Sequence, residues 1–347
     1  MSRNAGQRTA LLALSLFLFI LAIYVMKEGA RDLGPLVRNS FRVTTPVNAL
    51  GFGWVFAYVV MSGSPVAAAA LTLLDADAID QMSAFTMVAG SRLGASFFVL
   101  LIGFVYVLRG RSREASLGMG LLALVVTGIT NLIALPVGAL LLRSGMLEGA
   151  HLPGGANVAS VIELIYAPIV AALLLILPHW ALFPAGLVLI VVSFSLFDRC
   201  LPQIHMAEGQ IGRMSGLVFR PWIMFAIGGL ITLITLSVSV SLSILVPLNS
   251  RGYVRRENAV PYIMGAGITT FVDTMFAALL LGNPAAVAVV LAQMLSVALV
   301  SALFLTLRFS AFERLTLSIA SWASSDTRNL TISVLTIVSI PLLLLLL

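Results

Sequence analysis

The sequence contains very few of the residues from which catalytic, redox and metal sites are usually built. Its one cysteine, Cys200, excludes a disulfide or a thiolate metal site within the chain. Its three histidines are widely spaced and form no HExxH-type zinc pattern. Phosphate-binding loops, dinucleotide fingerprints and nucleophile elbows do not occur in any strand-turn-helix context. We therefore expect neither an enzyme nor a bound cofactor.

Charged residues are scarce as well. They form 10% of the 347 residues, whereas an ordinary soluble domain has about 25%. Hydrophobic residues form 60% of the chain. They recur in runs of about 17–25 residues, long enough to cross a hydrocarbon layer about 30 Å thick. The composition predicts an all-α integral protein of the cell membrane that crosses the lipid bilayer several times.

The net charge of +6 comes mostly from arginines, since Lys27 is the only lysine. Nearly all of these cations lie between the apolar runs, where they set topology and contact lipid headgroups. This distribution argues against nucleic acid as a partner. The first apolar run, Ala10 to Met26, is long for a signal peptide and lacks a small-residue cleavage site. We therefore interpret it as a membrane helix.

Apolar runs bounded by charge, proline or glycine predict ten helices. They cover residues 9–26, 47–74, 82–108, 116–142, 157–177, 180–197, 222–249, 260–282, 284–307 and 329–347. The chain accordingly divides into an N-terminal helix with an amphipathic connector (1–46), a first repeat (47–142), connecting helices and a linker (143–221), a second repeat (222–308) and a C-terminal segment with a helix (309–347). The last helix lies outside the repeats and is suited to mediate a homodimer.

A weak internal repeat relates the two hydrophobic blocks. Shifting the chain by 175 residues aligns six identical residues without a gap. These pairs are Gly53 and Gly228, Ser62 and Ser237, Ser64 and Ser239, Leu73 and Leu248, Ala84 and Ala259, and Gly90 and Gly265. In each block a Ser-x-Ser pair precedes a glycine-led cluster by 28 residues. Repeated halves of this kind are typical of transporters.

Loop charges indicate how the two repeats are oriented. The loop after the first Ser-x-Ser segment is acidic, with Asp75, Asp77 and Asp80. The corresponding loop of the second repeat is basic, with Arg251, Arg255 and Arg256. Short cytoplasmic loops are enriched in arginine and lysine, so the two loops should lie on opposite sides of the membrane. We therefore predict repeats of inverted topology. Whether segments 47–74 and 222–249 cross the bilayer or re-enter it stays open.

Each repeat contains a serine-bearing break in a hydrophobic segment. The first is Met61-Ser62-Gly63-Ser64-Pro65, and the second carries Ser237, Ser239 and Ser241. Unwound backbone at membrane depth exposes amides and carbonyls that suit an anion and a cation. Serine hydroxyls can serve both. The alternative is that these serines only permit close helix packing or bond a preceding carbonyl.

A second pair of matched clusters follows the breaks. Its glycines let backbones approach closely, and its hydroxyl groups are suited to coordinate a dehydrated ion. In the first repeat the cluster comprises Gly90, Ser91, Arg92 and Gly94. In the second repeat it comprises Gly265, Gly267, Thr269 and Thr270.

Three ionisable residues lie within apolar runs, where each costs at least about 2.5–3.5 kcal/mol at a helix centre. They are Arg92, Asp273 and Glu163. Arg92 lies within the glycine-led cluster of the first repeat, and Asp273 lies just beyond the equivalent cluster of the second. We predict that Arg92 attracts an anionic substrate and that Asp273 binds a coupling cation or proton. The alternatives are a structural Arg92–Asp273 salt bridge, or an arginine that snorkels to the membrane surface. Glu163 lies outside the repeats and is expected to pack against a neighbouring helix.

The motifs resemble those of the sodium-dependent phosphate cotransporters of bacteria and animals. Each of that family's two inverted repeats carries a Gln-Ser-Ser-Ser segment followed by a Gly-Ala-Asn-Ile-Gly-Thr-Thr segment. The stretch PYIMGAGITT, from Pro261 to Thr270, is similar to the second segment. FLFILAIYVMKEGARDLGPLV, residues 17–37, is similar to the family's opening helix. The resemblance covers about residues 16–136 and 222–305, and it implies binding of phosphate and Na⁺ by these motifs.

Several positions depart from the family pattern. Met61 and Leu236 stand where the family has glutamine, and Arg92 and Gly267 stand where it has asparagine. Gly63 and Val238 replace the middle serines. These changes leave open a different anion or different coupling. By the same resemblance, Asn131 occupies a polar helix position that would line the transport path.

Together these observations predict secondary active transport of a small inorganic anion, with sodium-coupled phosphate symport by alternating access as the preferred form. The substrate would lie near Ser62, Ser64, Ser237 and Ser239. Two alternatives stand beside it. One is an anion exporter or channel with other coupling. The other is a membrane subunit or sensor that keeps the fold without transporting.

Overall fold

Helices form all of the regular structure in the described part of the chain. The computed structural model describes residues 5–39, 43–110, 113–147, 155–200, 220–250 and 254–347, and no strand occurs among them. Seven helical stretches within these residues are long and apolar enough to cross a membrane. They are Gly6–Val37, Gln81–Leu108, Leu117–Arg143, His179–Cys200, Arg256–Leu281, Pro284–Leu307 and Thr327–Leu346. The chain is thus an all-α, multi-pass membrane protein, as its composition predicts.

The helices follow one another along the described ranges with short connections. The first eight are α1 (Ala5–Asn39), α2 (Pro46–Val60), α3 (Ser64–Asp75), α4 (Gln81–Ala95), α5 (Phe97–Leu108), α6 (Arg113–Arg143), α7 (Gly155–Leu174) and α8 (His179–Cys200). The next are α9 (Pro221–Thr235), α10 (Val238–Ser243), α11 (Leu245–Ser250), α12 (Arg256–Thr269), α13 (Phe271–Leu281), α14 (Pro284–Leu307), α15 (Phe309–Ser325) and α16 (Thr327–Leu346). Most of the 198–221 linker lies outside the described residues.

The first helix is longer than its apolar run predicts. The predicted helix ends at residue 26, followed by an amphipathic connector, whereas α1 continues to Asn39. That prediction was wrong because the charges after Met26 find partners without ending the helix. The Lys27 Nζ lies 3.0 Å from the Asp75 Oδ2, and Arg31 pairs with Glu28 one turn away. The charged C-terminal part of α1 therefore remains helical, and Lys27 joins it to Asp75 of α3.

Two predicted helices are interrupted at their serine-bearing segments. Segment 47–74 divides into α2 and α3, and segment 222–249 divides into α9, α10 and α11. α2 has 15 residues and α3 has 12. At 1.5 Å per residue neither reaches the roughly 30 Å needed to span the hydrocarbon layer alone. The breaks therefore place irregular backbone and polar side chains within a hydrophobic part of the chain.

The same local geometry recurs 175 residues further along. α2 and α9 each have 15 residues and begin at a proline. Each ends at a non-glycine residue in the left-handed region, Met61 with φ 57° and Leu236 with φ 48°. α4 and α12 begin at Gln81 and Arg256, which are also 175 positions apart. The sequence correspondence thus extends to helix ends and backbone conformation.

Glycines allow an equally close packing in both places. A Cβ added to Gly53 would lie 2.2 Å from the Met87 carbonyl oxygen, and one on Gly228 would lie 2.1 Å from that of Tyr262. The reciprocal contacts bring Gly90 against Leu50 and Gly265 against Phe225, at 2.2 Å and 2.0 Å. Only glycine permits backbones this close. The pairs α2/α4 and α9/α12 therefore pack through equivalent contacts.

The hydrophobic core contains helices from both repeats. Two of its largest buried side chains are Phe85 of α4 and Phe271 of α13. α14 packs against both α4 and α6, and α13 packs against α3. Gln293 of α14 donates a 2.8 Å hydrogen bond to the Phe85 carbonyl oxygen. Elements of the second repeat are therefore packed directly on those of the first, which brings the two glycine-led clusters near each other.

The C-terminal region contains a helix that the sequence pattern did not predict. α15 occupies Phe309–Ser325, within a stretch that its charged and polar residues marked as a connecting segment. Buried residues such as Phe312, Thr316 and Ala320 recur along one side of it, and they pack towards α6. α16 then packs on α2, where Gly51 closely approaches the backbone at Leu345. Exposed polar residues such as Ser310, Arg314 and Ser318 interrupt its apolar run, so a division of the sequence by continuous apolar runs missed this amphipathic helix.

A polar cluster ties three elements together at the ends of α3 and α13. The Asp75 carboxylate accepts from Lys27 of α1 and from the Asn283 amide, the latter at 3.0 Å. Lys27 also donates to the Leu281 carbonyl oxygen at 3.4 Å. Asn283 caps α14 through its side chain. This cluster pairs the charged side chains at the ends of these helices. It also holds α1 against helices of both repeats.

Candidate functional site

The first break positions Ser62 and Ser64 beside the end of α4. Gly63 lies against α4, since a Cβ there would be 2.7 Å from the Ser91 carbonyl oxygen. Ser64 begins α3 and is buried, whereas Ser62 is partly exposed. Pro65 follows at the start of α3, where its missing N–H breaks no helical hydrogen bond. The glycine and proline thus fix where the helix stops and where it restarts.

The second break is held by its own hydroxyl network. Ser237 caps α10 by accepting from the Val240 amide at 3.3 Å. The buried Ser241 accepts from the Thr232 hydroxyl at 2.7 Å and bonds the Tyr262 hydroxyl at 2.9 Å. These bonds tie α10 to α9 and α12. The side chain of Ser239 lies outside the described residues.

Arg92 lies at the meeting point of the two repeats. It stands in the last turn of α4, and only 3% of its surface is exposed. Its Nη1 donates to Ser64 at 3.4 Å and to Thr270 at 3.1 Å. Its Nη2 donates to Asp273 at 3.5 Å and to Thr274. One partner belongs to the first break, and three belong to the junction of α12 and α13.

The Arg92–Asp273 ion pair is the salt bridge predicted as one alternative from the sequence. Both side chains are almost fully buried, at 3% and 2% exposure. The snorkelling alternative was wrong, because the guanidinium points into the protein and lies 4.8 Å from the centre of the Phe271 ring. Thr274 also donates to the Asp273 Oδ1 at 2.8 Å. Buried charges need such partners, since an unpaired one is very costly.

The pairing around Arg92 is incomplete. The Arg92 Nε and the Asp273 Oδ2 are buried and have no hydrogen-bond partner in the protein. Unsatisfied buried atoms of charged groups are rare and call for a ligand, an ion or water. The Arg92 Nε–H is a donor suited to an anion, and the Asp273 Oδ2 is an acceptor suited to a cation. One ion pair therefore presents an unpaired donor and an unpaired acceptor.

Helix ends add to the electrostatics of this site. Ser64 is the first residue of α3, so the positive end of that helix adjoins the Arg92 guanidinium. Asp273 lies in the first turn of α13, which follows α12 with only Thr270 between them. The positive end of α3 and the guanidinium together favour an anion between them.

Other predicted site residues have local roles. Ser91 donates to the Val88 carbonyl oxygen of its own helix at 2.7 Å. Thr269 donates to Gly229 at 2.9 Å and ties α12 to α9. Asn131 donates to Thr127 at 2.9 Å, while its buried Oδ1 has no partner. The side chain of Glu163 lies outside the described residues. No hydrogen bond joins the side chain of Ser91, Thr269 or Asn131 to the Arg92 guanidinium.

The predicted close-approach glycines separate into two groups. Gly63, Gly90, Gly94 and Gly265 each lie close to a neighbouring backbone. Gly267 does not, because a Cβ there would meet nothing within 4 Å. The prediction for Gly267 was wrong for a geometric reason. Two residues after Gly265, a helical position points about 200° away from the contact face.

Sequence reasoning missed Thr274 and Phe271, which both contact Arg92. Thr274 directly follows Asp273 at the start of α13. A hydroxyl beside an intramembrane carboxylate was the available signal. Phe271 gave no signal, since aromatic residues are common in this chain. Its position over the guanidinium depends on how the two repeats pack.

The oxygen ligands around Arg92 suit a hard cation better than a soft transition metal. Among the described residues, no group of three or more His, Cys, Asp or Glu side chains could hold a metal ion. The oxygens around the guanidinium come instead from one carboxylate and three hydroxyls, those of Asp273, Ser64, Thr270 and Thr274. Oxygen-only sets favour hard cations.

Comparison of the chain with models of protein families, with curated proteins and with solved structures finds no match.

Proposed function

We propose that this chain is a secondary transporter that carries a small inorganic anion of the phosphate type together with Na⁺, by alternating access. The observation that supports this most strongly is Arg92, a buried arginine whose Nε has no hydrogen-bond partner in the protein and which lies where the first break meets the junction of α12 and α13. Charged residues inside a membrane protein are costly and typically mark a substrate or ion path. Arg92 supplies the charge that an anion needs.

The first broken helix supplies further groups for the anion site. The N-terminus of α3 begins at Ser64, whose hydroxyl already contacts the guanidinium. Broken membrane helices that direct their N-termini at an anionic group occur in transporters of several folds. Phosphate accepts bonds from guanidinium, hydroxyl and backbone N–H groups alike. A tetrahedral oxyanion therefore matches the donors at this site.

Inverted repeats provide a route for alternating access. The equivalent contacts of α2/α4 and α9/α12 support a duplicated unit, and the opposite charges of the two corresponding loops support its inversion. In such carriers the substrate lies where the repeats meet, and one repeat rocks against the other. Arg92 contacts both repeats, so its hydrogen bonds must change when they move.

A non-transporting membrane subunit is the second candidate, and the direct contact between Arg92 and Asp273 favours it. In that case the ion pair would only join the two repeats. The two candidates differ in one respect, because only a transporter needs the guanidinium to leave Asp273 and bind a solute.

Uptake into proteoliposomes tests the transport proposal. We expect proteoliposomes that contain the purified protein to accumulate radiolabelled phosphate when the Na⁺ concentration is higher outside. Accumulation should stop when the Na⁺ gradient is removed. Ser64→Ala should reduce uptake about tenfold or more, because a hydrogen bond between a charged group and its partner contributes about 1.5–3 kcal/mol. Ser296→Ala is the matched control, since that buried hydroxyl bonds only the Gln293 carbonyl oxygen of its own helix. Absence of uptake for phosphate and for other small oxyanions would reject transport.

Cysteine labelling tests the inverted topology. In a protein with Cys200 replaced by serine, Ala76→Cys places a single thiol in the loop of the first repeat. Arg255→Cys places a single thiol in the corresponding loop of the second repeat. A membrane-impermeant maleimide added from outside should label one variant in intact cells and the other only after permeabilisation. Labelling of both variants from the same side would contradict the inversion.

A further inference from the structure

The Arg92 guanidinium occupies a group of oxygens that could otherwise hold an alkali cation. Asp273 contributes one negative charge, and Ser64, Thr270 and Thr274 contribute neutral hydroxyls. Hard cations bind to such oxygens. One carboxylate balances one positive charge, so the set suits a monovalent ion such as Na⁺. The arginine is the tethered cation of this group.

An anion that binds Arg92 must compete with Asp273. The guanidinium already uses its four terminal N–H groups on the surrounding oxygens, and only Nε is unused. A multidentate oxyanion therefore gains further bonds only if Arg92 releases some of these partners. Release leaves the Asp273 carboxylate buried without a counter-charge, which is strongly unfavourable. Anion binding alone is opposed by this cost.

Cation binding alone meets the converse obstacle. Na⁺ at Asp273 would share its oxygens with a guanidinium that is held by the same group. Two positive charges would then face one carboxylate in a region of low dielectric constant. An anion removes this repulsion by drawing Arg92 away. Each ligand thus removes the obstacle to the other.

We propose that the anion and Na⁺ replace the Arg92–Asp273 ion pair together, so that each ligand raises the affinity for the other. This inference rests on the proposed function and specifies how its two solutes are coupled. The site has no net charge when both ligands are absent, and again none when a monovalent anion and Na⁺ are both bound. With one ligand alone it carries an unbalanced charge. The neutral states are the ones suited to pass through the conformational change, which couples the two fluxes.

Binding linkage tests the inference without a transport measurement. Phosphate affinity of the purified, intact protein is measured by calorimetry in Na⁺ and in choline at equal ionic strength. We expect phosphate to bind at least about tenfold more tightly in Na⁺, and Na⁺ to bind more tightly in phosphate by the same factor, because coupling is reciprocal. Equal phosphate affinities in Na⁺ and choline would overturn the inference and leave the anion site intact. Absence of phosphate binding in both salts would instead count against the proposed function.

Variants locate the coupling at the ion pair. Thr274→Val keeps the size of the side chain and removes one cation ligand, so it should lower the Na⁺ effect on phosphate affinity several-fold. Thr316→Val is the control, because its buried hydroxyl bonds only the Glu313 carbonyl oxygen one turn away. Asp273→Asn should abolish the Na⁺ effect while phosphate still binds. Retention of the full Na⁺ effect in folded Asp273→Asn or Thr274→Val protein, or a linkage that follows pH and ignores Na⁺, would contradict the proposed cation site. The comparison of salts on the unmodified protein stands even if a variant does not fold.

Discussion

Arg92→Gln protein is expected to lose anion uptake by about 10- to 100-fold and to unfold at a clearly lower temperature. Both effects have one cause. The substitution removes the charge that binds the anion, whose hydrogen bonds to a charged donor contribute about 1.5–3 kcal/mol. It also leaves Asp273 buried without the ion-pair partner that it has among the described residues. Removing one member of a buried pair typically costs about 3–5 kcal/mol. Thermal unfolding in detergent and uptake in proteoliposomes measure the two effects separately.

A double variant separates transport from stability. In Arg92→Gln/Asp273→Asn protein both charges are gone, and two neutral amides can bond each other and the surrounding hydroxyls. Replacement of a buried ion pair by neutral groups is often close to neutral for stability. The double variant should therefore recover much of the lost unfolding temperature, while uptake stays as low as in the single variant. Recovery of uptake along with stability would mean that the ion pair only joins the repeats.

A methyl group at Gly265 is expected to destabilise the protein by at least about 1–3 kcal/mol. In Gly265→Ala the new Cβ would lie 2.0 Å from the Phe225 carbonyl oxygen. Real contacts are much longer, so α9 and α12 must move apart along their whole contact. Overpacking of this kind costs about 1–3 kcal/mol and sometimes more. The shift also displaces Thr270 at the end of α12, so uptake should fall together with stability. Thermal unfolding in detergent gives the comparison.

Gly267→Ala in the same helix is the matched control. Its added Cβ would meet nothing within 4 Å. Alanine is favoured over glycine in a helix interior by about 0.5–1 kcal/mol. The two substitutions are chemically identical and two positions apart, yet they should change stability in opposite directions. Equal effects at both positions would show that the α9/α12 contact is looser than the structure indicates.

The positions of the breaks could be predicted, but their backbone geometry could not. Gly63 and Pro65 marked the first break, because both disfavour a continuous helix. At the two breaks the residues with left-handed backbone are Met61 and Leu236, which have little intrinsic preference for it. Local propensity gives no sign of this conformation at either site. Packing of the helices against α4 and α12 fixes it, and packing is not encoded in any single window of sequence.

The residues of the candidate site were also predictable only in part. Charge inside apolar runs identified Arg92 and Asp273, because such residues are costly and rarely accidental. Their mutual contact stayed one of two alternatives, since they lie 181 positions apart. Thr274 had a signal in its position beside Asp273, but its contact with Arg92 depends on how the two repeats pack. Conversely, Ser91 and Thr269 were grouped with the site by proximity in sequence, although their hydroxyls bond helix carbonyl oxygens.

The separation of Arg92 from Asp273 also affects how the protein is made. Arg92 enters the membrane with the first repeat, and its partner is synthesised 181 residues later. At about 5–20 residues per second, Arg92 remains without its counter-ion for roughly 10–40 s. During that interval the insertion machinery or the membrane surface must hold α4, because an arginine at mid-membrane is costly. Assembly of the first repeat can therefore finish only after the second has emerged, and a chain that stops early exposes an unpaired arginine to quality control.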